Sequence, residues 1–132
     1  MLKIFTVEKE IELTVNKQSK HEVIASDSEY FYQGESKGGY ANGKGILSSK
    51  IQNDDKVKFQ EGIFRKGFLV KGCIYNLKFQ RKAYEGTFKN GKLHGKGKEY
   101  AGSDNDYYEG TYKDGKLNGK GIEVYDGVVR YR

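Results

Sequence analysis

The sequence predicts an all-β chain in which antiparallel β-hairpins stack side by side. Two residue pairs predict the hairpins: Asn90-Gly91 and Asp114-Gly115 suit two-residue type I′ turns, because both central residues of such a turn need φ > 0. Repetition predicts the stacking, because residues 108–121 nearly duplicate residues 84–97. A single hairpin is only marginally stable, so repeated hairpins must pack against one another.

The composition agrees with this class and excludes others. The 132 residues suffice for one domain, and a hydrophobic share of 36% against a charged share of 32% leaves material for a thin core. The 11 Tyr and 7 Phe are too many aromatics for a disordered chain, and 18 Gly favour short strands and tight turns. The low apolar content argues against an enzyme with a large enclosed pocket.

The chain changes character near residue 30, since all 18 glycines lie at or after Gly34. We expect an N-terminal capping segment over residues 1–29 and a repeat domain over residues 30–132. Apolar residues alternate at positions 11, 13 and 15, as in a strand, whereas those at 4, 7, 11 and 15 would also suit a helix. We expect strands that extend the sheet or cover its first edge.

The repeat domain contains units that begin near residues 32, 60, 84 and 108, and a partial unit that begins at Tyr131. Alternation places Tyr84, Gly86 and Phe88 on one face of the sheet and the intervening charged residues on the other. We expect Gly86 and its counterpart Gly110 to lie beneath a neighbouring aromatic ring. Counting outward from each turn predicts these cross-strand pairs: Phe88 with Leu93, Gly86 with Gly95, Glu85 with Lys96, Gly110 with Gly119 and Glu109 with Lys120.

The unit resembles the MORN (membrane occupation and recognition nexus) repeat in its motif Tyr84-Glu85-Gly86-x-Phe88-x-x-Gly91-x-x-His94-Gly95-x-Gly97. Residues 108–121 match nearly as well, and residues 32–45 match in their glycines. The unit at 60–73 departs, because its last glycine is displaced by one position. A bulge or longer turn at Lys66-Gly67-Phe68 would restore a pairing of Gly62 with Gly72.

The resemblance covers roughly residues 30–132 and implies an elongated single-layer ribbon of antiparallel hairpins. It implies little about function, since such repeats occur in ciliary radial-spoke proteins, parasite cytoskeletal scaffolds, junctophilins, plant lipid kinases and a lysine methyltransferase. The catalytic domains of that family do not fit in 132 residues.

The residues themselves predict no catalytic, cofactor-binding or metal-binding site and no small-molecule substrate. His94 is replaced by Asn42 and Asn118 in sister units, so it fits a polar residue beside a turn better than a base or ligand. Cys73 has no CxxC partner and fits a small buried residue. A P-loop-like run ending at Lys44 has Gly45 where Mg²⁺ binding needs Ser or Thr. We therefore expect a protein that is not an enzyme.

Cations recur in the repeat domain, in a chain of net charge +6. An anionic membrane surface is the candidate partner for them, against the simpler interpretation of a solvated face in which Lys96 and Lys120 pair with glutamates. We favour the simpler interpretation. Nucleic acid is not expected, because the aromatics are predicted to lie on the glycine face. The candidate contacts form two columns: Lys37, Arg65, Lys89 and Lys113 in the first, and Lys44, Lys96 and Lys120 in the second.

The C-terminal segment is rich in strand-forming residues and has no Pro to block pairing. An unpaired strand edge beside exposed aromatic surface favours the addition of a strand from another chain. We therefore predict that the following residues contact a partner subunit or a second copy of this chain: Tyr125, Val128, Val129, Arg130, Tyr131 and Arg132.

The leading functional hypothesis is a non-enzymatic structural subunit of a larger protein assembly, which by resemblance is axonemal or otherwise cytoskeletal. The alternatives are a peripheral membrane adaptor that binds anionic lipid and a regulatory fragment of an enzyme whose catalytic part lies on another chain. Charge interrupts the first residues too soon for a signal peptide, and no apolar run approaches the roughly 20 residues that span a bilayer. We expect an intracellular, cytoplasmic or cytoskeletal location.

Overall fold

The computed structural model describes residues 1–51 and 55–131 and places their strands in one sheet, whose order follows the chain. Consecutive strands pair antiparallel, and the described residues form no helix. The all-β prediction is confirmed, and the N-terminal segment forms strands. The strands are β1 (Leu2–Phe5), β2 (Glu10–Gln18), β3 (Val23–Ser26), β4 (Tyr30–Lys37), β5 (Tyr40–Lys50), β6 (Lys56–Arg65), β7 (Phe68–Asn76), β8 (Arg81–Lys89), β9 (Lys92–Ser103), β10 (Asp106–Lys113), β11 (Lys116–Tyr125) and β12 (Val128–Tyr131).

Four two-residue turns lie along one side of the ribbon, which we call the turn side. They close the first to fourth hairpins: β4–β5 at Gly38-Gly39, β6–β7 at Lys66-Gly67, β8–β9 at Asn90-Gly91 and β10–β11 at Asp114-Gly115. The φ angles are +52° and +86° at Asn90 and Gly91, and +51° and +85° at Asp114 and Gly115. The predicted positive φ at all four residues is confirmed.

The register next to the turn is as predicted, since Phe88 pairs with Leu93, but it changes further out. Gly86 pairs with Gly97 and not with Gly95, because β9 carries three residues where β8 carries only Thr87. Gly95 lies in this bulge with φ +97°. Counting outward assumes a ladder without extra residues, so it fails here. The correction reaches every predicted pair beyond the bulges: Glu85 pairs with Lys98, Gly110 with Gly121 and Glu109 with Ile122 across β10–β11.

The bulges bring glycine opposite glycine on every strand from β4 to β11. The predicted pairing of Gly62 with Gly72 is confirmed, although the irregularity lies between Ile63 and Phe64 and not at the turn. The resulting glycine row crosses the whole repeat region: Gly34, Gly45, Gly62, Gly72, Gly86, Gly97, Gly110 and Gly121.

The expectation of an aromatic ring above Gly86 and Gly110 is wrong. A Cβ added to Gly86 would lie 2.6 Å from the Cα of Gly97, so the facing backbone occupies that space. A Cβ on Gly110 would meet Leu117 at 2.9 Å. The ring lies instead over Gly45, where a Cβ would be 2.6 Å from Cζ of Tyr32.

The N-terminal segment does more than extend the sheet. β2 and β3 add to the edge at β4, as expected, but β1 folds back across the turn side. The amide of Lys3 donates to the carbonyl oxygen of Gly39 and the amide of Phe5 to that of Gly67, each at 2.8 Å. The alternate residues Leu2 and Ile4 are buried. β1 is therefore hydrogen-bonded on both of its edges.

One cluster of buried side chains forms the core, and it thins towards the C-terminal end. The third hairpin contributes Phe88 and Leu93 to it, and the fourth contributes Tyr112. The remainder comes from β1 to β7: Leu2, Ile4, Ile11, Leu13, Val23, Ala25, Tyr32, Ala41, Leu47, Phe64 and Leu69. The apolar surface is thus best covered where β1 lies over it.

Candidate functional site

The charged face of the sheet carries a row of glutamates beside the glycine row. We call Glu61, Glu85 and Glu109 the acidic row. Tyrosine hydroxyls hold two of its carboxylates: Tyr75 donates to Glu61 at 3.1 Å and Tyr100 to Glu85 at 2.7 Å. The hydrogen bond from Tyr100 is the main cause that lowers the pKa of Glu85, while burial, followed by the bond to Glu61, raises the pKa of Tyr75 to about 12. The acidic row is therefore already satisfied within the chain.

Lysines outside the two predicted columns complete this neutralisation. Lys58 lies 3.3 Å from Glu61, Lys82 lies 3.5 Å from Glu85, and Lys98 lies 4.0 Å from Glu109. The expected ion pairs of Glu85 with Lys96 and of Glu109 with Lys120 are wrong, because the bulges move those lysines out of register.

The seven predicted cations are all exposed, and none of them forms an ion pair among the residues that the structure describes. The register also places Lys71 in the row of Lys44 and Lys96, since Lys44 pairs with Ile63 and Ile63 with Lys71. Sequence reasoning missed Lys71 because the bulge in the second hairpin shifts it by one position. The second column is thus longer than the repeat pattern indicates.

The first column lies at the turn side, where Lys37, Arg65, Lys89 and Lys113 each end a strand. Their cross-strand partners are Tyr40, Phe68, Lys92 and Lys116 respectively. The third and fourth hairpins therefore place lysine directly opposite lysine, an arrangement that destabilises a sheet through like-charge repulsion.

Aromatics are not confined to the glycine face, contrary to expectation. Tyr100 and Tyr107 lie on the charged face with ring centroids 5.6 Å apart, and Lys98 lies 4.6 Å from the centroid of Tyr107. Side chains alternate along β9, so Tyr100 shares the face of Lys98. Tyr100 lies beyond the segment that the repeat motif covers. These rings adjoin the Glu85 and Glu109 carboxylates, and the Tyr100 hydroxyl donates to Glu85.

The C-terminal strand β12 forms an open edge of the sheet. It pairs with β11 on one side, and in the described ranges no strand pairs with its other side. Tyr125, Val128 and Val129 are 56%, 61% and 48% exposed, and the Arg130 guanidinium lies 5.9 Å from the Tyr125 ring centroid. Arg132 and the side chain of Tyr131 lie outside the described residues.

The turn at Asp126-Gly127 determines which backbone groups of β12 face outward. Tyr125 and Val128 flank this two-residue turn, so they exchange both ladder hydrogen bonds. Antiparallel pairs alternate, so the next pair, Val124 with Val129, exchanges none. The N–H and C=O of Val129 therefore point away from β11.

His94 and Cys73 both lie in surroundings that give them a structural role. The amide of Asp114 donates to Nδ1 of His94 at 3.4 Å, and the amide of Lys66 donates to the equivalent Asn42 at 3.0 Å, so this repeat position holds the next hairpin's turn. Cys73 is half-buried, not buried as expected, and burial followed by Glu85 raises the pKa of its thiol. In the described part of the chain, no group of His, Cys, Asp and Glu is arranged to hold a metal ion.

A bilayer-spanning helix, long and apolar enough to cross, is absent from residues 1–51 and 55–131.

Comparison with known families gives matches to the MORN repeat at residues 32–52, 84–105 and 108–127. The second hairpin lies outside these matches, in agreement with its displaced glycine. A comparison with curated proteins found no significant match. MORN repeats are generally non-enzymatic modules, often in proteins that engage other proteins or membranes. Three matched repeats, on the first, third and fourth hairpins of one antiparallel sheet, place this chain in the MORN-repeat family.

Proposed function

We propose that the chain is a non-enzymatic structural subunit that joins a larger protein assembly through the outer edge of β12. In this proposal residues 1–29 act as the cap and residues 30–132 as the repeat domain, with units beginning near 32, 60, 84 and 108. The resemblance favours an intracellular, cytoskeletal or ciliary setting.

The single observation that carries the proposal is the asymmetry of the two ends of the sheet. The N-terminal strand β1 is paired on both edges, by β2 and by contacts with β5 and β7. The C-terminal strand β12 has an open edge among the described residues. Proteins rarely leave such an edge unprotected, because unpaired N–H and C=O groups recruit other strands.

The edge offers both polar and apolar contacts to an incoming strand. The backbone of Val129 supplies an outward donor and acceptor. Tyr125 and Val128 share one face of the sheet and Val129 lies on the other, so exposed apolar surface meets the incoming strand on both sides. Such an edge favours β-augmentation by a partner subunit or by a second copy of the chain.

The test replaces the outward donor alone. Val129→Pro removes an N–H that faces away from β11, so the ladder with β11 keeps its bonds. Val129→Thr is the matched control, because it keeps both the N–H and a β-branched side chain. We expect Val129→Pro to reduce recovery of the tagged chain with its native assembly, measured by affinity purification and quantitative mass spectrometry, while Val129→Thr keeps it.

Sedimentation velocity of the purified variants separates a second copy from another subunit. A loss of self-association in Val129→Pro supports the former, and a loss of assembly recovery alone supports the latter. Unchanged recovery together with unchanged sedimentation contradicts docking through β12.

A second candidate function is a peripheral membrane adaptor that binds anionic lipid through the cation columns. It is favoured by the absence of ion pairs at all seven cations in the described part of the chain. Lys96→Glu/Lys120→Glu should then reduce co-sedimentation with phosphatidylserine vesicles, and added salt should do the same. The control Lys17→Glu/Lys20→Glu changes the net charge equally at exposed lysines outside both columns. Equal vesicle binding by both variants speaks against this function.

A further inference from the structure

The strand β1 shows how an extended segment binds across the turn side. Its odd residues advance from one hairpin turn to the next, with Lys3 bonded to Gly39 and Phe5 to Gly67. The following odd residue, Val7, lies against Gly91, because a Cβ on Gly91 would be 2.7 Å from the Val7 nitrogen. Three successive turns therefore receive one segment of the chain.

This coverage ends at Val7, and the next turn is open. The chain reverses after Val7 through the bond from the amide of Thr6 to the carbonyl oxygen of Lys9. The three atoms nearest to a Cβ on Gly115 would all belong to the Lys92 side chain, at 3.6 to 3.8 Å. In the described part of the chain, no segment crosses the fourth turn.

A groove of about 290 Å³ continues the path of β1 past this point. We call it the turn groove. It is lined by Val7, Tyr84, Phe88, Leu93, Lys92 and Lys116, beside the turn glycines Gly91 and Gly115. Val7 is 54% exposed and Tyr84 is 37% exposed, so apolar surface remains open where β1 stops.

The charge of the turn groove differs from that of the surface under β1. The residue that follows the turn is Tyr40 or Phe68 in the first two hairpins, and Phe5 stacks on both, with ring centroids 6.1 Å and 4.9 Å apart. In the third and fourth hairpins the same position is Lys92 or Lys116.

Each of these lysines faces another lysine across its hairpin, Lys89 and Lys113. Lys92 and Lys116 therefore line the turn groove with a second lysine directly opposite each of them, and Asp114 is the acidic residue among the groove's lining residues. An outward-facing side chain of a segment bound in the turn groove would meet lysines, whereas Phe5 meets aromatic rings on the first two hairpins.

We propose that the turn groove binds an extended acidic segment of a partner protein, in which apolar and acidic residues alternate. The apolar residues of the bound segment pack towards Phe88 and Leu93. Leu2 and Ile4 of β1 are buried in the corresponding way over the first two hairpins. The acidic residues face Lys92 and Lys116 and relieve the like-charge pairs. This surface is separate from the β12 edge, so the inference does not depend on the proposed function.

The experiment measures fluorescence anisotropy of the full chain with a labelled peptide, Glu-Leu-Glu-Ile-Glu-Leu-Glu. We expect saturable binding that weakens at least tenfold in Lys92→Glu/Lys116→Glu and falls with added salt. Lys17→Glu/Lys20→Glu carries the same charge change elsewhere and should bind like the unmodified chain. Peptides with Lys for Glu, or with Ser for Leu and Ile, should not bind.

Three results would overturn the inference. The first is no binding of the acidic peptide, and the second is equal binding by Lys92→Glu/Lys116→Glu. The third is loss of peptide binding in Val129→Pro, which would place the peptide on the β12 edge instead. If the same lysines are needed for phosphatidylserine vesicles and the peptide does not bind, the surface is a membrane contact and the inference is wrong.

Discussion

The amide of Phe5 donates a 2.8 Å hydrogen bond to the carbonyl oxygen of Gly67, and the Phe5 ring covers that glycine. A Cβ on Gly67 would lie 2.7 Å from Cδ2 of the ring. This contact joins the N-terminal strand to a hairpin turn in the middle of the sheet. The repeat region therefore depends on a segment that is not itself a repeat.

The first prediction concerns the inward face of β1. Ile4→Ala should lower the free energy of unfolding by about 2–5 kcal/mol, because Ile4 is buried in the core and the truncation leaves a cavity. Urea denaturation gives the value. Val7→Ala, at an exposed residue of the same segment, should stay within about 0.5 kcal/mol of the unmodified protein. Equal losses in the two variants would show that β1 is not packed as described.

A second prediction concerns the glycine row. Gly86→Ala should overpack the sheet against Gly97, at a cost of about 1–3 kcal/mol beyond backbone strain. Gly102→Ala is the matched control, because Gly102 also has positive φ, +99°, but has nothing within 4 Å of an added Cβ. Thermal unfolding of the two variants isolates the contact. The close glycine pairing is refuted if both melt at the same temperature.

A third prediction concerns the turn at Asp114-Gly115. Asp114→Ala should destabilise the fourth hairpin by about 1–2 kcal/mol, because Ala lacks the local hydrogen bonding that lets Asp adopt φ +51°. Asp114→Gly should cost much less, because glycine adopts positive φ without a steric penalty. Chemical denaturation monitored by tyrosine fluorescence distinguishes the two. If Asp114→Gly destabilised the hairpin more than Asp114→Ala, the side-chain contacts of Asp114, and not its positive φ, would account for its effect on stability.

A fourth prediction concerns alkaline pH and Tyr75. Burial and the bond to Glu61 raise the pKa of Tyr75 to about 12, above the ordinary value of 10.0. The folded state then holds this proton more tightly than the unfolded state, so its contribution to stability is intact below pH 10 and is lost as the pH rises towards 12. Urea midpoints between pH 8 and 12 should fall less steeply in Tyr75→Phe.

Absorbance at 295 nm follows tyrosinate formation in the same samples. The number of tyrosines that ionise above the ordinary pKa of 10.0 should be lower by one in Tyr75→Phe than in the unmodified chain. An unchanged late fraction would mean that Tyr75 ionises like a free tyrosine.

Local sequence chemistry determined the hairpins and their turns. Asn90-Gly91 and Asp114-Gly115 adopt positive φ because few other residue pairs do so at low cost, and that preference acts within a few residues. The repeat period determined the order of the strands for the same reason, since each unit needs only its neighbours. The strand character of β12 followed from its Val and Tyr residues.

The tertiary structure decided what depends on distant parts of the chain. The bulges that align Gly86 with Gly97 insert extra residues into one strand of each hairpin, so the pairs beyond Phe88 were out of reach of counting. The position of β1 was likewise undetermined, because alternation in residues 1–29 favours strands but does not indicate where they pair. The packing of β1 across the turn side decides which hairpin turns are covered and which lysines beside the turns stay exposed.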